Sequence, residues 1–468
     1  MDFIQLSVQN EELRSQIPAI ESVISVIGTL RNRPEKDINE SQKFGQFELV
    51  PDEVTVLNKV EVELPFKTFE QTKHNEPLRS KFRYLDLRNP TSQDPLRFKS
   101  ELLLNFRNFL CSKHDFVEIE TPLLFRATPG GAREFVVPTS NESLFYTLPQ
   151  SPQQFKQLLV IGGIGKYMQI AKCFRDEQLK PDRQPEFTQL DLEMPFITKE
   201  DVYELIENLL LDSWPLVSRN NPSNLEIPFR RMDFVTAMKL YGSDKPDTRF
   251  EWLLQDSEDF TFFSIPSAIL DKTSKTQIKN FVKNFNSQSR IRILCDKMTK
   301  IASVGSDHKP DDMAFYVAGK ELKTVYGICT VHHPFTAPTE DTVEFLRTDP
   351  LRVTGLHYDL VCNGHEIGGG SIRIHDGKTQ KFVLDEILKM DSSQMSHLLE
   401  ALSSGAPPHG GIALGIERLM ALLYGTTNIR DMIAFPKNSF GRDNLFGAPC
   451  TISTDTLNYY NLQIKHKS

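Results

Sequence analysis

Short segments that alternate apolar and polar residues recur in the middle of the chain, with few helical patterns between them. Four of these segments, EFVVP, SLFYTL, YMQIAKCF and EFTQLDLEM, lie between residues 134 and 194. Alternation with a period of two is typical of strands that bury one face, and strands joined without crossover helices pair antiparallel. The pattern therefore predicts an α+β fold around an antiparallel sheet and argues against a doubly wound parallel sheet.

Helical periodicity predicts helices that flank this sheet. One helix is expected from Leu96 to about Lys113, followed by a strand, FVEIETPLL, that ends near Pro122. Further helices are expected at PQQFKQLLVIGG and EDVYELIENLLLDSW, and a last one at GGIALGIERLMALLYG. The apolar stripe of the first helix consists of Leu102, Leu103, Phe106, Phe109 and Leu110.

The chain length of 468 residues exceeds the size at which one hydrophobic core stops growing, so two or three domains are expected. Alternating segments between residues 22 and 64 predict a small β-domain, and the stretch near 247–330 is polar with weak patterning. The predicted organisation is a β-domain at 1–66, a polar linker at 67–81, an α+β domain in two parts at 82–246 and 331–436, an insertion at 247–330, and a tail at 437–468.

Composition excludes several classes of protein. The formal net charge of −8 argues against binding nucleic acid by bulk attraction, so any RNA contact needs a local basic surface. No stretch approaches the roughly 18 apolar residues that cross a bilayer, which predicts a soluble protein with no membrane partner. Six cysteines without a CxxC pair predict reduced thiols in an intracellular compartment.

A charged hairpin is the first candidate functional segment. In CFRDEQLKPDRQPEFTQLDLE, residues 173–193, a predicted strand leads through a loop that begins with Arg175 to a second strand near Phe187. Such a hairpin can place a planar guanidinium over phosphate oxygens. A solvated hairpin tip with surface ion pairs is the alternative interpretation.

Three consecutive glycines form the second candidate segment, GGGSIRIH at residues 368–375, which Asp359 and Glu366 precede. Glycines weaken a strand unless another group approaches the backbone closely, and an adenine or ribose is such a group. The two carboxylates could hold Mg²⁺. Turns and bulges also use glycine, and the chain contains no GxxxxGK[ST] phosphate-binding loop.

An arginine in an apolar context is the third candidate. Arg418 lies within GGIALGIERLMALL, where the surrounding residues predict a buried helix. Because a buried guanidinium needs an anionic partner, either a bound phosphate or an ion pair with Glu417 or a neighbour is expected. None of the three segments decides the function by itself.

In chain order, these segments resemble the three signature motifs of class II aminoacyl-tRNA synthetases. The runs QSPQQFKQLL, FRDEQLKPDRQPEFTQLDLE, HHPFTAP, GHEIGGGSIRIH and GAPPHGGIALGIERL are similar to the aspartyl-tRNA synthetase family of the bacterial and mitochondrial type. The resemblance covers nearly the whole chain except the insertion. It implies a class II antiparallel sheet flanked by helices, with residues 1–66 as a partial OB-fold that binds the anticodon.

The resemblance also implies the activity. A member of this family activates L-aspartate with ATP and Mg²⁺ to aspartyl-adenylate and transfers it to the 3′ end of tRNA(Asp). A homodimer is implied because Pro122 ends the family's interface motif. Gly130, which replaces a glutamate common in bacterial members, favours the mitochondrial matrix over a bacterial-type cytoplasm.

Residue roles for ATP follow from the same resemblance. Arg175 would bind the α-phosphate, Arg418 the γ-phosphate, and the adenine would lie between Phe187 and the Arg418 guanidinium. Asp359 and Glu366 would carry Mg²⁺. The implied ATP-binding residues are Arg175, Asp176, Glu177, Gln184, Phe187, Glu366, Gly415, Ile416, Glu417 and Arg418.

Substrate choice is implied to depend on charge. Lys156 and Arg373 would contact the side-chain carboxylate of aspartate, and two cations match a neutral amide poorly. The implied aspartate-binding residues are Gly130, Ser151, Gln153, Lys156, Arg175, Gln189, Asp191, His332, His333 and Arg373.

Two alternatives remain at the sequence level. The β-domain lacks the first OB strands, and ELKTVYGICTV stands where the family has a strand of the type WVxDFP. The chain could therefore be a truncated or variant synthetase that folds and binds ATP or RNA without efficient aminoacylation. It could also be a relative that activates asparagine or lysine, against which Lys156 and Arg373 argue.

Overall fold

The computed structural model divides into two compact units. The first comprises Met1–Asp94 with Asn444–Phe446, and the second comprises Pro95–Asp443 with Gly447–Ser468. The residues that the structure describes are 3–40, 42–68, 75–128, 131–141, 144–217, 224–249, 253–256, 260–265, 277, 293–297, 313–318 and 334–464.

The first unit contains a small sheet. Its strands are β1 (Gln5–Leu6), β2 (Val23–Asn32) and β3 (Phe47–Asn58), and its helices are α1 (Glu11–Gln16), α2 (Glu76–Lys81) and α3 (Arg83–Asp86). The sheet order is β1-β3-β2, in which β2 and β3 pair antiparallel and β1 pairs parallel with β3. The two strands predicted from the alternating segments are therefore present. The OB-fold and the domain boundaries stay predictions.

The second unit alternates strands and helices. Its elements through the first half are α4 (Pro90–Arg107), β4 (Val117–Glu118), β5 (Val136–Pro138), β6 (Phe145–Thr147), α5 (Gln153–Ile161), β7 (Tyr167–Phe174), β8 (Glu186–Pro195), α6 (Lys199–Val217) and α7 (Phe234–Tyr241). Six π-helical residues, Asn108–Lys113, continue α4. The predicted helix is thus present and begins six residues earlier than expected, with Pro90 at its start. A proline is tolerated there because a backbone N–H in the first turn has no acceptor within the helix.

The second half of this unit completes the fold. Its elements are β9 (Gln255–Asp256), β10 (Phe260–Ile265), β11 (Ile293–Lys297), β12 (Met313–Ala318), β13 (His357–Cys362), β14 (His365–Ile372), α8 (Gly377–Phe382), α9 (Ser396–Ser403), β15 (His409–Gly415), α10 (Ile416–Leu423) and α11 (Thr454–Tyr459). Short 3₁₀ or π turns lie at Glu35–Asp37, Val343–Leu346, Pro350–Arg352, Val383–Ile387, Ser392–Met395 and Ile429–Met432.

A six-stranded sheet in the order β13-β14-β15-β8-β7-β4 is the centre of the second unit. Every pair is antiparallel except β4 with β7. The turn between β13 and β14 is made by Asn363 and Gly364, both with positive φ, which is the backbone that a tight hairpin requires. The predicted antiparallel α+β architecture is confirmed.

The main hydrophobic core lies between this sheet and its helices. Leu102 and Phe106 of α4, and Leu110 of the π-helical segment that follows it, pack with residues of the sheet such as Leu190 and Leu414, and all five are almost fully buried. Burial of one such side chain contributes about 1.5–3 kcal/mol, so the stripe predicted on α4 anchors the helix to the sheet.

Two sequence predictions are wrong in this unit. The run predicted as one helix, GGIALGIERLMALLYG, is a strand up to Gly415, and only Ile416–Leu423 is helical. The glycines oppose a helix, and pairing with both β8 and β14 satisfies the backbone instead. The strand predicted at FVEIETPLL pairs only at Val117–Glu118.

Part of the predicted insertion forms a second sheet. Strands β9 to β12 pair antiparallel in the order β11-β12-β10-β9. The segment ELKTVYGICTV lies outside the described residues. Among the helices that the structure describes, none is long and apolar enough to cross a membrane.

Candidate active site

A cavity of about 770 Å³ opens among β8, β14, β15, α5 and α10 of the second unit. One face of the sheet forms a wall of the cavity. Alternate residues of each strand point to this face, so side chains of neighbouring strands meet there. The predicted site residues that line the cavity are Ser151, Gln153, Lys156, Arg175, Glu177, Gln184, Phe187, Gln189, Asp191, Asp359, Glu366, Arg373, Gly415, Glu417 and Arg418. The structure therefore brings together most of the residues that the sequence singled out.

Two of the predicted residues that the structure describes, Asp176 and Ile416, do not line the cavity. Asp176 is exposed, with its backbone N–H bonded to the carbonyl of Arg133, and Ile416 is fully buried in the core. Gly130, His332 and His333 lie outside the described residues.

At one end of the cavity, the β7–β8 hairpin presents Arg175. Its guanidinium lies over the ring of Phe187, with Cζ 5.2 Å from the ring centroid. Its Nε is buried and has no hydrogen-bond partner among the described residues. A buried cationic donor without a partner favours an anionic ligand at this place, since leaving such a donor unsatisfied is costly.

Arg418 approaches the same region from the first turn of α10. Its Nη1 donates to the carbonyl oxygen of Glu366 at 2.8 Å, and its Nη2 lies 3.6 Å from a carboxylate oxygen of Asp182. The side chain is 31% exposed. Arg418 is thus only partly buried and pairs with Asp182, not with Glu417, because the helix starts at Ile416 and this phase turns residue 418 towards the cavity.

Two carboxylates face the cavity from neighbouring strands. Asp359 lies on β13 and Glu366 on β14, and a Cβ added to Gly369 would be 2.7 Å from Asp359 Oδ1 and 3.5 Å from Glu366 Oε1. Burial, and then the charge of Glu366, raise the pKa of Asp359 to about 6. The ammonium of Lys245, 3.1 Å from Glu366 Oε2, opposes this increase.

This pair of carboxylates fits a magnesium ion that arrives with a nucleotide. Mg²⁺ binds through one or two carboxylates together with phosphate oxygens and water, so two protein ligands suffice. The described residues contain no cluster of three or more His, Cys, Asp or Glu side chains placed to hold a metal alone.

The glycine triplet has a second structural reason besides a ligand. A Cβ on Gly368 or Gly370 would collide with the backbone of β15, at Ala413 and Gly411 respectively. Only Gly369 faces the two carboxylates. Glycine is therefore needed at two of the three positions because strand β15 lies close to them, and only Gly369 leaves room on the side of the cavity.

At the other end of the cavity, four charges form a buried network. Lys156 Nζ is 2.7 Å from Asp191 Oδ1 and 3.1 Å from Glu193 Oε2. Arg373 Nε donates to Glu193 Oε1 at 2.9 Å. Burial would raise the pKa of Glu193, but Arg373 and then Lys156 overcome this effect and lower it to about 2. The network is balanced, with two cations against two anions.

Two polar atoms beside this network have no hydrogen-bond partner among the described residues. They are the buried Asp191 Oδ2, which can accept, and the buried Gln153 Nε2, which can donate. Both residues line the cavity. A small ligand with an ammonium and a carboxylate would satisfy both atoms, since buried polar groups are normally hydrogen-bonded.

Sequence reasoning missed Glu193 and Lys245. Glu193 could have been found from strand periodicity, because it follows Asp191 by two residues and so shares its face of β8. Lys245 lies in a polar loop segment, SDKPD, where no pattern indicates a site. Only the packing of that segment beside β14 brings Lys245 to Glu366.

Comparison with known proteins adds independent findings. A family model described as tRNA synthetases class II (D, K and N) matches residues 75–439. The mitochondrial aspartate–tRNA ligase of Rattus norvegicus is 38% identical over 95% of this chain and 80% of its own length. The aspartate–tRNA(Asp/Asn) ligase of Salinibacter ruber is 36% identical over 95% of this chain and 84% of its own.

A solved structure shows a similar fold. The asparaginyl-tRNA synthetase of Entamoeba histolytica, in complex with asparaginyl-adenylate, superposes with a TM-score of 0.62 at 20% identity. The match covers 93% of this chain and 89% of that one.

Proposed function

Because this chain belongs to the class II tRNA synthetases of the D, K and N group, we propose that it is an aspartate–tRNA ligase. It activates L-aspartate with ATP, releasing pyrophosphate, and transfers the aspartyl group to the 3′ end of tRNA(Asp). Relatives named as aspartate–tRNA ligases, mitochondrial and bacterial, support this activity over most of the chain.

The observation that carries the proposal is the charge arrangement of the cavity. An unpartnered guanidinium donor of Arg175 lies at one end, and the buried network of Lys156, Asp191, Glu193 and Arg373 lies at the other. One substrate with a triphosphate and another with two carboxylates and an ammonium match these ends. A reaction between them needs only orientation and charge stabilisation, since the carboxylate of the amino acid is itself the nucleophile.

Activation follows from these positions. Arg175 binds the α-phosphate that the aspartate carboxylate attacks, and its charge stabilises the oxygens on which negative charge builds up. Arg418 binds the far end of the triphosphate, and Phe187 offers its ring to the adenine. Magnesium held by Asp359 and Glu366 would offset the charge of the triphosphate. Pyrophosphate then leaves with the electron pair of the broken bond.

Selection of aspartate rests on Lys156 and Arg373. Each contacts Glu193 and also lines the cavity, so a carboxylate of a ligand can approach both cations. Asparagine would place a neutral amide there, and a site with fixed charged partners rejects such a near-isostere strongly. The amino group of the substrate would bind Asp191 Oδ2, and Gln153 Nε2 would donate to an oxygen.

Assembly and location are proposed from two exposed leucines and from the compartments that the names of the relatives give. Leu123 and Leu124 are exposed directly after Pro122, where the family's interface motif ends, and this favours a homodimer. Sedimentation velocity should then give a species of about twice the 53.5 kDa chain mass. We assign the protein to the mitochondrial matrix because many of its relatives are mitochondrial, with a bacterial-type cytoplasm as the alternative.

ATP–pyrophosphate exchange with aspartate, asparagine or lysine, with and without tRNA, tests this function. We expect exchange with aspartate but not with asparagine or lysine. In Arg175→Ala, the aspartate-dependent exchange should be lost. Arg442→Ala, which changes an exposed arginine outside the cavity, is the matched control and should retain activity. Exchange with asparagine or lysine would overturn the substrate assignment. Exchange without tRNA charging would instead support the variant synthetase.

A further inference from the structure

Strand β15 leaves the central sheet at a point that affects the nucleotide end of the cavity. Its last pair with β8 joins Gly415 to Gln189, and the next residue, Ile416, begins α10. Thr188, the residue before Gln189 on β8, therefore has no partner in β15, although it still pairs with Lys172 of β7 on its other side.

The carboxylate of Glu417 replaces the missing strand. The N–H of Thr188 donates to Glu417 Oε2 at 2.9 Å. Thr188 and Glu417 are both buried, at 3% exposure each, so water cannot readily take this role. An orphaned buried N–H costs about 1–3 kcal/mol, and the carboxylate removes that cost where the sheet ends.

The second oxygen of the same carboxylate contacts a different element. Glu417 Oε1 lies 2.6 Å from Nζ of Lys99, which belongs to α4. Removing one partner of a buried pair leaves an uncompensated charge, so Lys99 and Glu417 hold each other in place. One carboxylate thus joins three elements, namely α4, β8 and the first turn of α10.

The residues on either side of this junction are those proposed to bind ATP. Phe187 precedes Thr188 on β8, and Arg418 follows Glu417 on α10. The carboxylate is bonded to the residue after Phe187 and belongs to the residue before Arg418, so it links the backbone segments that carry both side chains.

We propose that Glu417 is a positioning residue that sets the separation of Phe187 and Arg418, and that Lys99 fixes Glu417 in turn. Both of its oxygens are engaged by protein groups, so its effect on the nucleotide is exerted through Thr188 and Arg418. This role differs from the direct ATP contact that the sequence implied. It rests on the proposed function, because it assumes that the nucleotide lies between Phe187 and Arg418.

Three variants separate the contacts. Glu417→Ala removes both, Glu417→Gln retains an acceptor for Thr188 without the ion pair, and Lys99→Met removes the cation alone. Glu204→Gln, at an exposed position on α6, is the matched control. We expect KM for ATP in the exchange reaction to rise about tenfold in Glu417→Ala, and about threefold in Glu417→Gln and Lys99→Met, while KM for aspartate changes less than twofold.

A merely structural role predicts a different result. Partial misfolding would lower kcat through the active fraction and leave KM for ATP unchanged, and that outcome would overturn the proposal. If Glu417→Ala fails to fold, Lys99→Met, which retains the bond to Thr188, still provides the test, and an unchanged KM for ATP in it would reject the role of Lys99.

Calorimetric titration with MgATP in the absence of aspartate distinguishes this inference from the proposed function. Wild-type protein that binds MgATP but gives no aspartate-dependent exchange would reject the proposed function alone. Equal MgATP affinity in wild type and folded Glu417→Ala would reject the positioning role alone.

Discussion

Lys156 illustrates how a single residue serves both stability and selection. It is 1% exposed and lies within 3.1 Å of two carboxylates, on Asp191 and Glu193. Burying a charge is costly unless it is paired, so the network is tolerated only because its charges balance. The same balance keeps Lys156 and Arg373 ordered and ready to meet a further carboxylate.

Replacing Lys156 by Met should therefore damage stability and activity together. Two buried carboxylates would then share the single cation Arg373, and breaking such a pair costs about 3–5 kcal/mol. We expect this loss in free energy of unfolding by urea denaturation, and no detectable exchange with aspartate. Lys389→Met, at an exposed lysine, is the control and should stay within about 0.5 kcal/mol of wild type. Equal stability of the two variants would contradict the assigned network.

Glu193 should give the protein a specific acid sensitivity. Its folded-state pKa of about 2 lies below the ordinary value of 4.5, so below pH 4.5 the unfolded chain takes up a proton at this group that the folded chain does not. Stability from this group is therefore complete above pH 4.5 and is lost as the pH falls towards 2, with a slope of up to about 1.4 kcal/mol per pH unit. The ionisable groups that face Glu193 are Lys156, Tyr167, Asp191, Tyr358, Arg373 and His409.

The test measures how steeply the free energy of unfolding changes between pH 5 and pH 3 in wild type and in Glu193→Gln. Glu193→Gln cannot titrate, so its free energy of unfolding should fall less steeply with acid than that of wild type. Ionisable groups remote from Glu193 titrate alike in both proteins and cancel in the difference. Parallel slopes would show that Glu193 is not held ionised by Arg373 and Lys156.

At the scale of elements, β15 and α10 show where sequence patterns succeed and fail. Ile412 and Leu414 have the two-residue spacing of a strand, whereas Ile416, Leu419 and Met420 have the spacing of a helix face, and both sets are apolar. Apolar content alone could not locate the junction at Gly415. The burial of Glu417 and the partial exposure of Arg418 depend on that junction, so the sequence singled out both residues but could not predict how deeply each is buried.

Strands β7 and β8 could be predicted because apolar and polar residues alternate over most of their 8 and 10 residues. Long-range contacts could not be. Lys99 meets Glu417 and Lys245 meets Glu366 across 318 and 121 residues, and nothing in either local segment marks the partner. Recognition of family motifs found most of the residues that line the cavity, whereas Glu193 and Lys245, which contact them, required the three-dimensional structure.

Gly411 on β15 should tolerate no side chain. A Cβ there would overlap the carbonyl oxygen of Leu192 and the carboxylate of Glu193. We expect Gly411→Ala to lower the free energy of unfolding by about 3 kcal/mol, the upper range for overpacking, and to raise KM for aspartate by displacing Glu193. Gly165→Ala is the control, because a Cβ at Gly165 has no atom within 4 Å. If both alanine variants were equally stable, the close approach of β15 to β8 would be refuted.

At the scale of the whole molecule, the charge of −8 and the proposed tRNA partner make opposite demands. Bulk attraction to RNA is absent, so binding must come from local stacking and local cations. The first unit offers one such place between β2 and β3, where Lys43 Nζ lies 5.2 Å from the ring centroid of Phe44. The cavity, in contrast, belongs entirely to the second unit.

Activation and transfer should therefore be separable by variants in different units. Phe44→Ala should lower kcat/KM for tRNA charging about tenfold, since stacking of one base on an aromatic ring contributes about 1–3 kcal/mol. Aspartate-dependent exchange without tRNA should not change. Phe440→Ala, at an exposed phenylalanine of the second unit, is the matched control and should leave both reactions intact. A parallel loss of exchange and charging in Phe44→Ala would mean that the first unit supports folding of the enzyme, because a contact with tRNA alone cannot alter a reaction that takes place without it.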